Sequence, residues 1–188
     1  MLVDNSINRS QQTRLTLSSI GCEVIAQLTS EKHLLQEVER YRPDVIIIDI
    51  DLPDRDILEN LRSVQSTSPR PMVMFSQDDQ GQSIRRAIKA GVSAYVVDGI
   101  NQKQVRPILD AAIASFNQYH ELKDQLESTR GELANRKIID QAKGILMKQR
   151  NMDESTAYHL MRKTAMNQKK QVIDIARNII QAAELFGV

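Results

Sequence analysis

The sequence predicts a doubly wound α/β domain, then one long helix, then a small all-α bundle of three helices. Three observations carry this. Short β-branched apolar runs recur through the first 100 residues with helix-like stretches between them. Residues 105–150 contain no Gly–Pro turn signal, and Gly131 is isolated. Residues 136–188 place apolar side chains at 3–4 spacing in three successive segments.

The predicted strands are MLV (1–3), EVIAQL (23–28), VIIID (45–49), MVMFS (72–76) and AYVV (94–97). NRSQQTRLTLSSI, EKHLLQEVERY, ILENLRSVQ and GQSIRRAIKAG read as the helices between them, with Gly91 as a helix C-cap. Strands that are apolar on both faces, separated by helices, imply a parallel sheet covered on both sides. Such sheets gather their sites at the carboxyl ends of the strands. There the sequence sets Asp4-Asn5, Asp49, Ser76 and Asp98-Gly99. If these ends converge, two carboxylates meet near a hydroxyl. Paired carboxylates can hold a hard cation such as Mg²⁺, and one can then attack a phosphoryl donor.

Composition narrows the class. Of 188 residues, 41% are hydrophobic and 26% charged, as in soluble globular chains. No apolar run approaches the ~20 residues of a membrane span, and MLVDNSINRS lacks a secretory signal pattern. The single cysteine, Cys22, suits a reducing cytoplasm and is expected to be packed. The three histidines, 33, 120 and 159, are too scattered for a metal site. Lys/Arg against Asp/Glu run 13 to 15 over 1–118, 1 to 3 over 119–129 and 11 to 6 over 130–188. A polyanionic partner is therefore expected at the tail.

Residues 1–118 resemble the receiver domain of bacterial two-component response regulators. VDN (3–5) matches its acidic pair, with Asn5 in place of the second acid. PDVIIIDIDLP (43–53) puts Asp49 at the phospho-acceptor position; Ser76 matches the hydroxyl position and Tyr95 the switch aromatic. The family pattern has Lys-Pro where this chain has Asp98-Gly99. A carboxylate there would repel a charged Asp49 by roughly 4 kcal/mol at ~4 Å and an effective dielectric near 20. Losing the second acid also weakens a Mg²⁺ site built on Asp4 and Asp49. The resemblance thus implies a degenerate receiver used for protein contact, with no cofactor. The alternative is an Asp49-phosphorylated switch.

Tyr119, Leu122, Leu126, Thr129 and Leu133 follow 3, 4, 3, 4 spacing, an a/d seam of a little over two heptads. A parallel homodimer through residues 119–135 is the expectation. Pro107 is expected in the first turns of this helix, where proline is least harmful. Beyond it, NMDES supplies a break, with Asp153 or Ser155 as cap, and QKK a turn; Gly187 ends the last helix.

ANRKIIDQAKGILMKQRNMDESTAYHLMRKTAMNQKKQVIDIARNII closely resembles the ANTAR RNA-binding domain of transcription antitermination regulators. AKGILM and LMRKTAM, about 17 residues apart, are its most specific pieces. AYVVDGI and the stretch around LESTRGELANRK are similar to the nitrate-responsive branch. The resemblance implies a cytoplasmic dimer that binds paired stem-loops in leader mRNA and prevents a terminator hairpin, released by a nitrate-sensing regulatory protein. The residues expected at RNA are Arg136, Lys143, Gly144, Tyr158 and Arg162. Met147 and Met166 are expected in the bundle core. Gly144, costing roughly 1 kcal/mol against Ala in a helix, implies close approach of RNA or of a neighbouring helix. A DNA-binding regulator is a rival reading, disfavoured because TAYHLMRKTAMN offers few base-reaching side chains. No enzymatic activity is expected.

Overall fold

The computed structural model describes residues 1–30, 33–97 and 100–186. The chain separates into two compact units, Met1–His120 and Glu121–Val188. In the first, β1 (Leu2–Asp4), β2 (Gln27–Leu28), β3 (Ile46–Asp49), β4 (Met72–Ser76) and β5 (Ala94–Val97) form a parallel sheet in the order β2-β1-β3-β4-β5. The intervening helices are α1 (Ile7–Ser19), α2 (Leu34–Tyr41), α3 (Arg55–Thr67) and α4 (Gly81–Lys89).

Side-chain alternation explains why β3 and β4 are apolar throughout. Ile46, Ile48, Met72 and Met74 face a core with Leu34, Val38, Ile57 and Leu61. Ile47, Val73 and Phe75 point the other way, against Leu17, Val105 and Leu109. Cys22 is partly buried against this second core. β2 is shorter than the predicted 23–28. It is an edge strand, so only one neighbour can pair with it, and the ladder holds two residues. Asp54 caps α3 by accepting from the Ile57 N–H at 2.9 Å. Gly91 follows the end of α4 at φ +100°, as expected of a residue closing a helix, and an added Cβ would meet Gln65 Cγ at 2.7 Å.

The long helix, α5 (Gln102–Arg150), begins earlier than residue 105. Asn101 starts it, its Oδ1 accepting from the Lys103 N–H at 3.0 Å. Pro107 is consequently the sixth residue, past the first turn. Its missing N–H deprives the Lys103 carbonyl of an i+4 partner, at an exposed residue where water can substitute. Tyr119, Leu122, Leu126 and Leu133 are 62%, 58%, 50% and 55% exposed, so no described residue of the chain fully covers the seam. Thr129 is exposed too, its hydroxyl donating to the Gln125 carbonyl.

In the second unit, the end of α5 packs with α6 (Glu154–Gln168) and α7 (Val172–Phe186) around Ala142, Leu146, Ala157, Met161, Ala165, Ile175 and Ala176. Asp153, not Ser155, caps α6, accepting from the Thr156 N–H at 2.8 Å. Lys169 turns out of α6 in the left-handed conformation, φ 52°. Gly187 lies outside the described residues. The core placement of two methionines is corrected: Met147 is 37% and Met166 70% exposed. Met161 and the small alanines fill the space between helices, and these two thioethers fall on the outer faces.

Candidate functional site

Two sites emerge, one in each unit. The first lies at the carboxyl ends of β1 and β3, where the strand order reverses direction. Asp4 and Asp49 are register partners there, 0% and 4% exposed. Between them sits a side chain that sequence reasoning missed, Arg9 of α1. Its Nε is 3.3 Å from Asp49 Oδ1 and its Nη2 3.3 Å from Asp4 Oδ1. Nη2 also donates to the Asp49 carbonyl at 3.0 Å and to Asn5 Oδ1 at 3.2 Å, while Nη1 bonds Asp51. Thr13, one helical turn on, donates to Asp49 Oδ2 at 3.1 Å.

Thr13 thus hydrogen-bonds Asp49 Oδ2, while Oδ1 has the ion-pair contact of Arg9 Nε, a buried donor with no hydrogen-bond partner among the described residues. Burial pushes the Asp49 carboxyl above the ordinary aspartate value, Asp4 and Asp51 add to that, and Arg9 and Thr13 only partly oppose it. For Arg9 burial works against the charge, but the pull of Asp49 and bonds to Asp51 and Asp4 outweigh it and raise its pKa. Asp4 Oδ1 accepts from the Ser6 N–H at 2.8 Å; Oδ2 is buried with no hydrogen-bond partner among the described residues.

Ser76 is buried, but its hydroxyl serves the neighbouring loops. It donates to the Asp51 carbonyl at 2.8 Å and accepts from the Asp78 N–H at 3.1 Å. Tyr95 donates to the Asp78 carbonyl at 2.8 Å. Asp98 lies outside the described residues. Mg²⁺ does not fit this donor set. Asn5 brings a neutral, exposed amide, the guanidinium already lies against Asp4 and Asp49, and no three His, Cys, Asp or Glu side chains among the described residues are placed so that they could hold a metal ion together.

The second site is an open groove of about 640 Å³ between α5 and α6. Arg136, Lys143, Gly144 and Tyr158, four of the five residues expected at RNA, line it together. Arg162 is exposed one turn beyond Tyr158 on α6. The two cations differ sharply. Arg136 is 81% exposed, with its one ion-pair contact, to Asp140, at the 4.0 Å limit. Lys143 is 14% exposed, its Nζ 2.6 Å from both Asp140 and Glu154. Bonds to Asp140 and Glu154 raise the Lys143 pKa, and the bond from Lys143 lowers that of Asp140. Lys143 thus clips α5 to the first turn of α6. The Asp140–Lys143 spacing of three is visible in sequence; the bond to Glu154 needs the helix pair. A Cβ added to Gly144 would meet nothing within 4 Å, which removes a neighbouring helix of this chain as the reason for the glycine.

A parallel sheet with acids at its switch point, continued by a helix into a grooved bundle, defines a regulator that joins an input module to a helical output module. The response regulator receiver domain model matches residues 1–110 and the ANTAR domain model residues 127–180. The chain belongs to the response regulator receiver family and is an ANTAR-type regulator; neither is an enzyme family.

The transcriptional regulatory protein PdtaR of Mycobacterium tuberculosis is 24% identical over 161 residues, 86% of this chain and 78% of PdtaR. The nitrate regulatory protein of Klebsiella oxytoca is 30% identical over 91 residues, 48% of this chain but 23% of that protein. Among solved structures, the chemotaxis protein CheY4 of Vibrio cholerae superposes with a TM-score of 0.52 at 24% identity, covering 59% of this chain and 94% of CheY4. That last likeness is one of fold. No helix among the described residues is long and apolar enough to cross a membrane.

Proposed function

We propose that the chain is a cytoplasmic RNA-binding antiterminator. Two copies pair through residues 119–135, and residues 136–188 grip stem-loops in a leader mRNA so that a terminator hairpin cannot form. Residues 1–118 serve as a degenerate receiver that contacts a regulatory protein. The observation that carries the reading is the groove inside the ANTAR segment. It sets the exposed Arg136 beside the half-exposed Tyr158 and the open backbone at Gly144. A guanidinium for phosphate or base edges next to an aromatic face for stacking is how proteins take up unpaired loop bases. The excess of 11 Lys/Arg over 6 Asp/Glu in residues 130–188 agrees with a polyanion there.

Gel-shift titration with matched RNA and DNA hairpins tests it. Loop-dependent RNA binding, lost in Arg136→Ala, is expected. Equal binding to duplex DNA rejects the reading.

The likeness to the Klebsiella oxytoca protein supports nitrate or nitrite assimilation genes as targets and a nitrate-sensing protein as partner. Nitrate-dependent co-purification with such a sensor is the expected result. A phosphorylation-activated version of the same output would require Asp49-dependent labelling by acetyl phosphate. The ion-pair contact of Arg9 and the hydrogen bond of Thr13 at Asp49 weigh against it.

A further inference from the structure

The strand-end pocket poses an electrostatic question. Three carboxylates, Asp4, Asp49 and Asp51, converge there, and the first two are cut off from water. Such a cluster needs positive charge, because ionised groups removed from water without a partner are costly. A divalent ion is one solution, and it demands several oxygen ligands in near-octahedral order with room for bound water. The chain presents the other solution. Arg9 reaches all three carboxylates, the Asp49 carbonyl and the Asn5 amide oxygen through one planar guanidinium. A delocalised fork of fixed donors suits this better than a point charge on a flexible stem.

We propose that Arg9 is the resident cation of the strand-end pocket, an internal replacement for a divalent ion. It latches β1, β3 and the segment after β3 in one arrangement with no dissociable ligand. The guanidinium blocks the pocket both sterically and by its charge. Asp4 Oδ2, left without a hydrogen-bond partner among the described residues, marks the cation site that would open without it. The state of the receiver unit is then independent of divalent ions. This inference stands whether or not the helical unit binds RNA.

The test uses the full chain and Mn²⁺ as probe, read by the electron paramagnetic resonance of the free ion, with thermal unfolding followed in parallel. The wild type is expected to show no saturable Asp4-dependent Mn²⁺ binding up to about 1 mM and no rise in unfolding temperature with Mg²⁺. Arg9→Ala is expected to bind Mn²⁺ at least ~10-fold more tightly than the wild type, and Asp4→Asn added to it is expected to abolish the gain. Arg9→Gln, which keeps length and loses charge, makes the same comparison should the alanine variant fold poorly. Saturable Mn²⁺ binding by the wild type that Asp4→Asn removes, or folded Arg9 variants that bind no better than wild type, would overturn the proposal. Comparison of the wild type with Asp4→Asn decides this even without an Arg9 variant.

Discussion

Replacing Leu126 with Lys breaks the seam of α5 at its middle. Full burial of a leucine is worth about 1.5–3 kcal/mol. Leu126 is 50% exposed in the single chain, so roughly half of that, about 1 kcal/mol, is still to be gained in each copy on pairing. Tyr119, Leu122 and Leu133 are similarly placed, and the seam as a whole offers on the order of 8 kcal/mol to a dimer. That falls within the about 4–15 kcal/mol that association itself costs, so the coil alone makes a weak dimer sensitive to any one layer. Losing both copies of Leu126 removes about 2 kcal/mol, a ~30-fold weaker dissociation constant, before the cost of two buried ammonium groups. Sedimentation equilibrium of the full chain measures this, with Leu15→Lys, an exposed leucine on α1, as the control. Equal association by Leu126→Lys and wild type, or an equal loss in Leu15→Lys, refutes pairing through the seam.

Other consequences are as direct. Met161→Ala empties the centre of the helical core and should cost about 2–5 kcal/mol in urea unfolding; a change below ~1 kcal/mol contradicts the packing. Gly144→Ala should raise helix stability by about 0.5–1 kcal/mol, since its Cβ enters open space, yet weaken RNA capture; a stabilised variant with unchanged capture removes Gly144 from the interface. Asp49 has a folded pKa raised by burial, so the folded state holds that proton more tightly than the unfolded chain. Its contribution is fully present below the unfolded value of about 3.9 and is lost as pH rises through the folded value. The unfolding temperature of Asp49→Asn relative to wild type should therefore increase from about pH 4 to pH 7; a constant difference means the carboxyl is not destabilised by burial.

What was legible in the sequence is what depends on neighbours along the chain. Asp4 and Asp49 end apolar strands, and parallel pairing brings strand ends together, so their meeting followed from local pattern and topology. The apolar spacing on α5, α6 and α7 likewise marked the bundle core. Arg9 and Thr13 were not legible. They are polar residues of α1, Thr13 buried on the same face as Leu17, and which of the helix's cations meets the pocket depends on how that helix is rotated on the sheet. Met147 and Met166 misled because thioethers at helical spacing read as core, while small alanines between close helices leave them no room inside. EVIAQL overstated β2 because apolar composition does not reveal which strand lies at the edge.

Lys143, clasped by Asp140 and Glu154 at 2.6 Å each, has a consequence for how ionic strength acts on any polyanion taken into the groove. A free ammonium can neutralise a phosphate and release the cation condensed there, and each phosphate so neutralised on single-stranded nucleic acid contributes a slope of about 0.7 to the logarithm of affinity against that of salt. Lys143 is already neutralised by two carboxylates of its own chain, which cannot diffuse away and leave it free to neutralise a phosphate. Affinity for such a ligand should thus decline less steeply with added salt than a tally of basic side chains suggests, and Glu154→Gln should steepen it.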